Sequence, residues 1–269
     1  MSDTTDDGSE RAEPLARALP ILGLLAIAAL AAAWVDALPG GYYLHGLAEP
    51  HRERAAREYF VHAAERLNAF VRENDEGSKD AADAIVFVGS STIERFPLDR
   101  CFPGKHCLNR GIRSESAKLL LRFLEPRLPL ARPAGIVVYT GSIDWRDLRA
   151  HGSGADAETE TAARVVAVLD ALKERLPRVP VALIGVLPDR GTDAGAALRL
   201  KELNGLLARD ARARGIAFVD AARPPIAAPS GALAREMSAD DVHLDDDGYR
   251  TLAQWIIAEG GDAGRLLAP

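Results

Sequence analysis

Cysteine is nearly absent from this 269-residue chain, which has only Cys101 and Cys107, with five residues between them. No CxxC pair and no His/Cys cluster at metal-ligand spacing occurs, so a structural zinc site is not expected. The two cysteines are either free thiols or, if the domain is exported, a loop-closing disulfide. An excess of basic charge is lacking too: 33 Lys and Arg face 39 Asp and Glu, a formal net charge of −6. The basic residues are mixed with acids, as on solvated helices, so the electrostatic footprint of a nucleic-acid binder is missing and no nucleic-acid partner is expected. No internal repeat is evident, and nothing marks a second domain.

What the chain does have is apolar residues, 48% of the total. One run, Ala18 to Val35, carries no charge for 18 residues. At the helical rise it spans roughly 27 Å, enough for a bilayer core. Arg11 and Arg17 precede it, and Trp34, Tyr42 and Tyr43 follow as interfacial aromatics would. A signal anchor is the favoured reading. A cleaved signal peptide, with Ala31 and Ala33 as the small residues of its cleavage site, and a buried Ala-rich helix are the alternatives. The nearest charges favour a cytoplasmic N-terminus and an exported C-terminal domain, although Arg52, Arg54 and Arg57 lie beyond the other end. The expected location is therefore membrane-anchored and extracytoplasmic, or secreted if the segment is cleaved. The acidic, polar stretch from Met1 to Arg17 reads as a disordered tail.

After Gly40-Gly41, residues Glu49 to about Glu73 read as one amphipathic helix, with Ala55, Tyr59, Ala63, Leu67 and Phe70 at helical spacing. Its apolar face favours packing on the domain over a free stalk. The remainder alternates strand and helix. Strands are expected at Ala84–Gly89, Lys105–Asn109, Gly135–Thr140, Val179–Val186 and Ile216–Val219. Helices are expected at Ser114–Arg127, Ala157–Leu176, Gly195–Arg214 and Asp246–Glu259. Short apolar strands separated by helices argue a three-layer α/β sandwich, flavodoxin-like, around a central, mainly parallel five-stranded sheet. The organisation expected is a tail (1–17), a span (18–35), a linker and amphipathic helix (36–80) and one α/β domain (81–269).

In such a sheet the strand C-termini share one edge, where ligands bind. Four polar sites fall there. Ser91 follows the first strand in Gly89-Ser90-Ser91-Thr92, where a strand-to-helix turn can expose a hydroxyl and direct a backbone N–H at a developing oxyanion. Asp240 and His243 precede the last helix, at a spacing that lets the carboxylate reach the imidazole of a general base. Asn109-Arg110-Gly111 follows the second strand, and Gly141-Ser142-Ile143-Asp144 the third. Taken singly, each has a bland reading as a turn, a cap or an acidic solvated loop.

Together, VFVGSSTIERF, LNRGI and DDVH resemble blocks of the SGNH hydrolase family, the GDSL-like esterases and lipases, over about Ala84 to Ile257. The resemblance implies Ser91 as nucleophile, His243 as base, Asp240 as its partner, and the N–H groups of Ser91 and Gly111 as oxyanion donors. It implies an acyl ester substrate (glycan, lipid or small ester) and no metal or cofactor. One block departs: YTGSIDW places Ile143 where the family has a donor asparagine, and losing such a donor typically costs about 10²–10³ in kcat, roughly 3–4 kcal/mol. Asn109 and Ser142 are the candidate substitutes. Arg113 either reads a substrate group or pairs with Glu115, and Trp145 and Arg146 stand as pocket wall or packing. The alternatives to an ester hydrolase are an O-acyltransferase using the same residues and a non-catalytic, membrane-tethered binding domain.

Overall fold

The computed structural model describes residues 41–76, 83–129, 132–151 and 156–269. The expected membrane span lies outside them. Among the described residues no helix is long and apolar enough to cross a membrane.

The chain runs α1 (Gly41–Glu76), β1 (Ile85–Gly89), α2 (Ser91–Glu94), α3 (Leu98–Cys101), β2 (Cys107–Gly111), α4 (Ala117–Arg122), β3 (Gly135–Tyr139), α5 (Ser142–His151), α6 (Ala157–Arg175), β4 (Val181–Ile184), α7 (Ala194–Ala213), β5 (Ala217–Val219), α8 (Asp246–Glu259) and α9 (Gly261–Leu267), with single 3₁₀ turns at Glu125–Arg127 and Arg235–Met237. The five strands form one sheet in the order β2-β1-β3-β4-β5, and every pair is parallel. Strand order reverses beside β1, which opens the crevice between the ends of β1 and β3 where parallel sheets hold ligands.

Alternate strand residues face opposite layers, because successive side chains point to opposite faces. Val86, Val88, Ile136, Val138, Val181 and Leu183 pack with residues of α4, α6 and α7. Ile85, Phe87, Val137, Tyr139, Ile184 and Val219 pack with residues of α8 and α9 and with Phe96 and Phe102. Burial on both sides is why the strands read as unbroken apolar runs rather than alternating ones.

From Val61 onward α1 belongs to the compact unit that holds the sheet. In that unit α1 packs on the edge strand β2, with Ala63 and Phe70 buried as expected. The same face is more polar than its apolar spacing implied. Arg66 donates to the carbonyls of Asn109 and Gly111 at 3.3 Å, so it satisfies edge acceptors that lack a neighbouring strand. Asn74 donates to the carbonyls of Pro126 and Leu128 at 3.0 Å. Arg110, 1% exposed, pairs with Glu73 and Asn74 and lies 4.8 Å over the Phe70 ring.

Strand β2 lies two residues later than the sequence pattern placed it, because Arg110 occupies a buried strand position that only these partners make tolerable. Residues 142–151, expected to open as a polar loop, form α5. The single helix expected over Ser114–Arg127 is α4 followed by the 3₁₀ turn.

Candidate active site

Ser91 is the first residue of α2, which begins immediately beyond β1 with Ser90 in extended conformation (φ −88°, ψ −154°). Two glycines permit this turn. A Cβ at Gly89 would stand 2.1 Å from the Tyr139 carbonyl oxygen, and one at Gly111 would stand 2.2 Å from the Glu94 nitrogen. Strand β2 and α2 are thereby seated backbone to backbone. Asn109 fastens the seam: its amide donates to the Ile93 carbonyl at 2.7 Å, and its carbonyl accepts from Gly111 N–H at 3.0 Å. Tyr249 on α8 donates its hydroxyl to the Thr92 carbonyl at 3.0 Å from the other side.

Asp240 and His243 arrive on the long segment between β5 and α8. That segment is short of regular structure but well tied. Ser238 and Leu244 form an antiparallel bridge, Ala239 N–H donates to the His243 carbonyl at 2.9 Å, and Arg190 N–H donates to the Asp241 carbonyl at 2.9 Å. The Arg190 guanidinium also donates to Ser238 Oγ at 2.8 Å. Asp240 Oδ1 accepts from the N–H groups of Val242 and His243 at 2.8 and 2.7 Å. Asp245 caps α8 by accepting from Gly248 N–H at 2.8 Å.

The three side chains form a continuous relay. His243 Nε2 lies 2.9 Å from Ser91 Oγ, and His243 Nδ1 lies 2.8 Å from Asp240 Oδ2. An ionised carboxylate only accepts, so Asp240 fixes the proton on Nδ1 and leaves Nε2 of the neutral ring as an acceptor facing the serine hydroxyl. Burial pushes the Asp240 carboxyl up, but the Val242 N–H, the His243 ring, the His243 N–H and the imidazolium charge outweigh it and hold the group well below the usual carboxylate range. Asp240 also meets Arg95 Nη1 at 3.2 Å, so the loop that carries the acid is linked to the residue capping α2.

The remaining candidates divide. Ser91, Ser142 and Trp145 line one cavity with Thr92, Tyr139, Arg146, Arg149, Val186, Leu187, Pro188, Asp189 and Val242, and its volume is about 30 Å³. Burial pushes the Tyr139 hydroxyl up, opposed in part by the neighbouring Ser142 and Thr92 side chains. Trp145 is both wall and packing, as it is 4% exposed and its indole N–H donates to Glu158 at 2.8 Å. Ile143, half-buried in the first turn of α5, offers no donor and is not among the cavity-lining residues.

Gly111 and Asn109 depart from their expected parts, because each engages the other or α2. Asn109 is a clamp, and the Gly111 N–H already has its acceptor. The Arg113 side chain is exposed, and its N–H donates to Glu94. Glu115 pairs with Arg127 at 2.5 Å rather than with Arg113, both partners being fully buried. Cys101 and Cys107 are free thiols, not the disulfide that export would favour. Cys101 ends α3, Cys107 opens β2, and each packs as a small hydrophobe against the second core cluster.

Sequence reasoning passed over Tyr139, Arg95, Arg149 and Ser114. Ser114, in the turn after β2, is the one non-glycine residue with positive φ among the described residues (58°). Strain of that kind concentrates at functional sites. No linear motif marks any of the four. Among the described residues no group of His, Cys, Asp and Glu could hold a metal ion.

A model of the GDSL-like lipase/acylhydrolase family matches residues 96–251. The match takes in Asp240 and His243 and begins after Ser91. Solved structures share the fold. One is a Streptococcus pneumoniae protein named for platelet activating factor (21% identity, TM-score 0.65, 77% of this chain and 97% of that one). Another is a GDSL-like lipase from Bacteroides thetaiotaomicron (22% identity, TM-score 0.53, 70% and 96%). A third is a catalytic mutant of an acetylxylan esterase from Geobacillus stearothermophilus (16% identity, TM-score 0.53, 67% and 95%). No curated protein matches.

Proposed function

This chain belongs to the GDSL-like lipase/acylhydrolase family, and from that premise we propose that it is a serine ester hydrolase cleaving short acyl esters through an acyl-enzyme. The observation that carries this reading is the unbroken relay from Ser91 through His243 to Asp240, with steps of 2.9 and 2.8 Å. His243 Nε2 takes the hydroxyl proton as Ser91 Oγ attacks the ester carbonyl. The imidazolium so formed is stabilised by Asp240 and returns its proton to the departing alcohol as the C–O bond breaks. Water, deprotonated by the same ring, then attacks the acyl-enzyme and releases the acid and free Ser91.

The oxyanion falls to Ser91 N–H, which as the first N–H of α2 has no acceptor within its helix. Gly111 N–H is engaged elsewhere and Ile143 has no side-chain donor, so turnover is set below that of a fully furnished site. The narrowness of the cavity beside Ser91 favours a short acyl group over a long chain. The uncharged run Ala18–Val35 supports a membrane anchor, and Arg11 and Arg17 before it favour an extracytoplasmic catalytic domain, against which the free thiols Cys101 and Cys107 stand.

A fluorophosphonate tests the site directly, because it modifies only an activated serine. The full-length protein should be labelled, and Ser91→Ala should lose the label while keeping its fold. A folded wild-type protein that takes no label would overturn the assignment and favour a non-catalytic binding role.

A further inference from the structure

The cavity beside Ser91 has two chemically distinct parts. Its base is closed: Thr92, Tyr139, Trp145, Val186 and Leu187 are each no more than 6% exposed. Its rim holds the exposed Arg146 and Arg149 on consecutive turns of α5, with the half-buried Asp189 opposite. A carbonyl seated at Ser91 with its small acyl group toward the base must leave its alcohol portion at this rim.

Arg149 is built in. Arg149 lies over the Trp145 ring with its guanidinium carbon 4.5 Å from the ring centroid. Trp145 cannot turn away, because its indole N–H is held by Glu158, 2% exposed, and Glu158 is itself clamped by the Arg199 fork at 3.0 Å on both oxygens. Stacking orients the Arg149 plane while leaving its edge donors for another group. Among the described residues neither Arg146 nor Arg149 forms an ion pair, unlike Arg95, Arg100, Arg164 and Arg190. The Asp189 carboxylate, the one acid on the rim, already accepts from the Thr192 hydroxyl at 3.0 Å. Among the residues lining the cavity two cations face one anion, on a chain whose overall charge is −6.

We propose that Arg146 and Arg149 select acetyl esters whose alcohol portion carries an anionic oxygen group, a carboxylate or a phosphate. The inference rests on the esterase reading of Ser91 and adds to it the charge of the substrate. A planar guanidinium fork matches either oxyanion, and a neutral ester leaves two unpaired charges at the mouth of the site. Arg146 also makes itself felt at the base, where its charge opposes the burial that pushes Tyr139 up.

The test compares three phenyl acetates on the full-length protein: 4-acetoxybenzoate, 4-acetoxyphenyl phosphate and the uncharged 4-acetoxybenzamide. At low salt kcat/KM for the preferred anion should exceed that for the amide by ~10-fold or more, mainly through KM, and the ratio should shrink as salt is added. Whichever anion leads identifies the group that is read. Replacing both arginines (R146Q/R149Q) should collapse the ratio by ~10-fold, and R146K/R149K should restore part of it, since charge is kept and the fork is lost. A wild-type ratio near one, or a ratio unchanged in the double glutamine variant, would sink the proposal. Failure to hydrolyse any of the three together with absent fluorophosphonate labelling would instead remove the esterase reading beneath it.

Discussion

Ile143 is the residue on which the proposed turnover depends. It sits in the first turn of α5, at the C-terminal edge of the sheet, in the motif position where the family resemblance puts a donor asparagine. Ile143→Asn should raise kcat by about 10-fold or more with little change in KM, because a donor that acts only in the transition state changes the chemical step. Steady-state kinetics on a phenyl acetate decides it, and a loss of rate would mean that packing of Ile143 matters more than the missing donor. The cysteines give a second prediction at this scale. Burial pushes the Cys107 thiol up to about 12 and raises Cys101 as well. Both should therefore resist iodoacetamide in the native protein at pH 8 and react only after unfolding, with no reductant needed. Detection of a Cys101–Cys107 peptide by non-reducing mass mapping would contradict this. Ser91, His243 and Asp240 could be named because the short motifs that hold them resemble family blocks, whereas each taken singly reads as a turn or an acidic loop. Arg149 could not, since an exposed arginine on a helix has no signature until the tryptophan beneath it is fixed.

Among elements, the seam between β2 and α2 has the greatest bearing on catalysis. Gly111 lets the strand approach the helix that carries Ser91, and Asn109 pins the two together. Gly111→Ala would drive a methyl group into the Glu94 backbone. It should cost about 1–3 kcal/mol of stability and, by moving Ser91 relative to His243, lower kcat by ~10-fold or more. Urea unfolding and kinetics on the same sample separate the two effects, and an unchanged kcat would show that α2 does not depend on β2 for its position. Strand and helix types were legible from the apolar runs of β1, β3 and β4 and from the periodicity of α6, α7 and α8. The beginning of β2 was not, because Arg110 looks like a surface residue until Glu73, Asn74 and Phe70 enclose it. Nor was α5, whose polar first turn reads as a loop until Trp145 finds Glu158.

At the scale of the whole molecule, acid should loosen the fold by a mechanism that can be traced. The Asp240 carboxyl is held low despite burial by the N–H groups and imidazole around it, Asp170 is held low by Arg214, and Asp246 by Arg100. Each binds its proton less readily folded than unfolded. The stabilisation is therefore complete above the unfolded carboxylate range, about pH 4, and is lost as pH falls through the lower folded values. The urea midpoint should decline from about pH 5 downward, and Asp240→Asn should flatten the decline, so that the gap between variant and wild type closes in acid. A gap that stays constant to pH 2 would show that Asp240 is not coupled to folding.

The sequence by itself determined the layer architecture and the order of its motifs. Apolar runs buried on both faces leave a parallel sheet little choice, and a parallel sheet puts every strand's C-terminal end on one edge. Through its resemblance to family blocks it also pointed to which serine, histidine and aspartate could meet there. Tertiary structure decided what those residues have around them. It gave the Gly111 N–H to Asn109, kept the two thiols apart, turned the polar face of α1 into a brace for the β2 edge, and set two arginines at the mouth of the site. Each of these depends on contacts between residues far apart in the chain, and neither local propensity nor periodicity carries information about such partners.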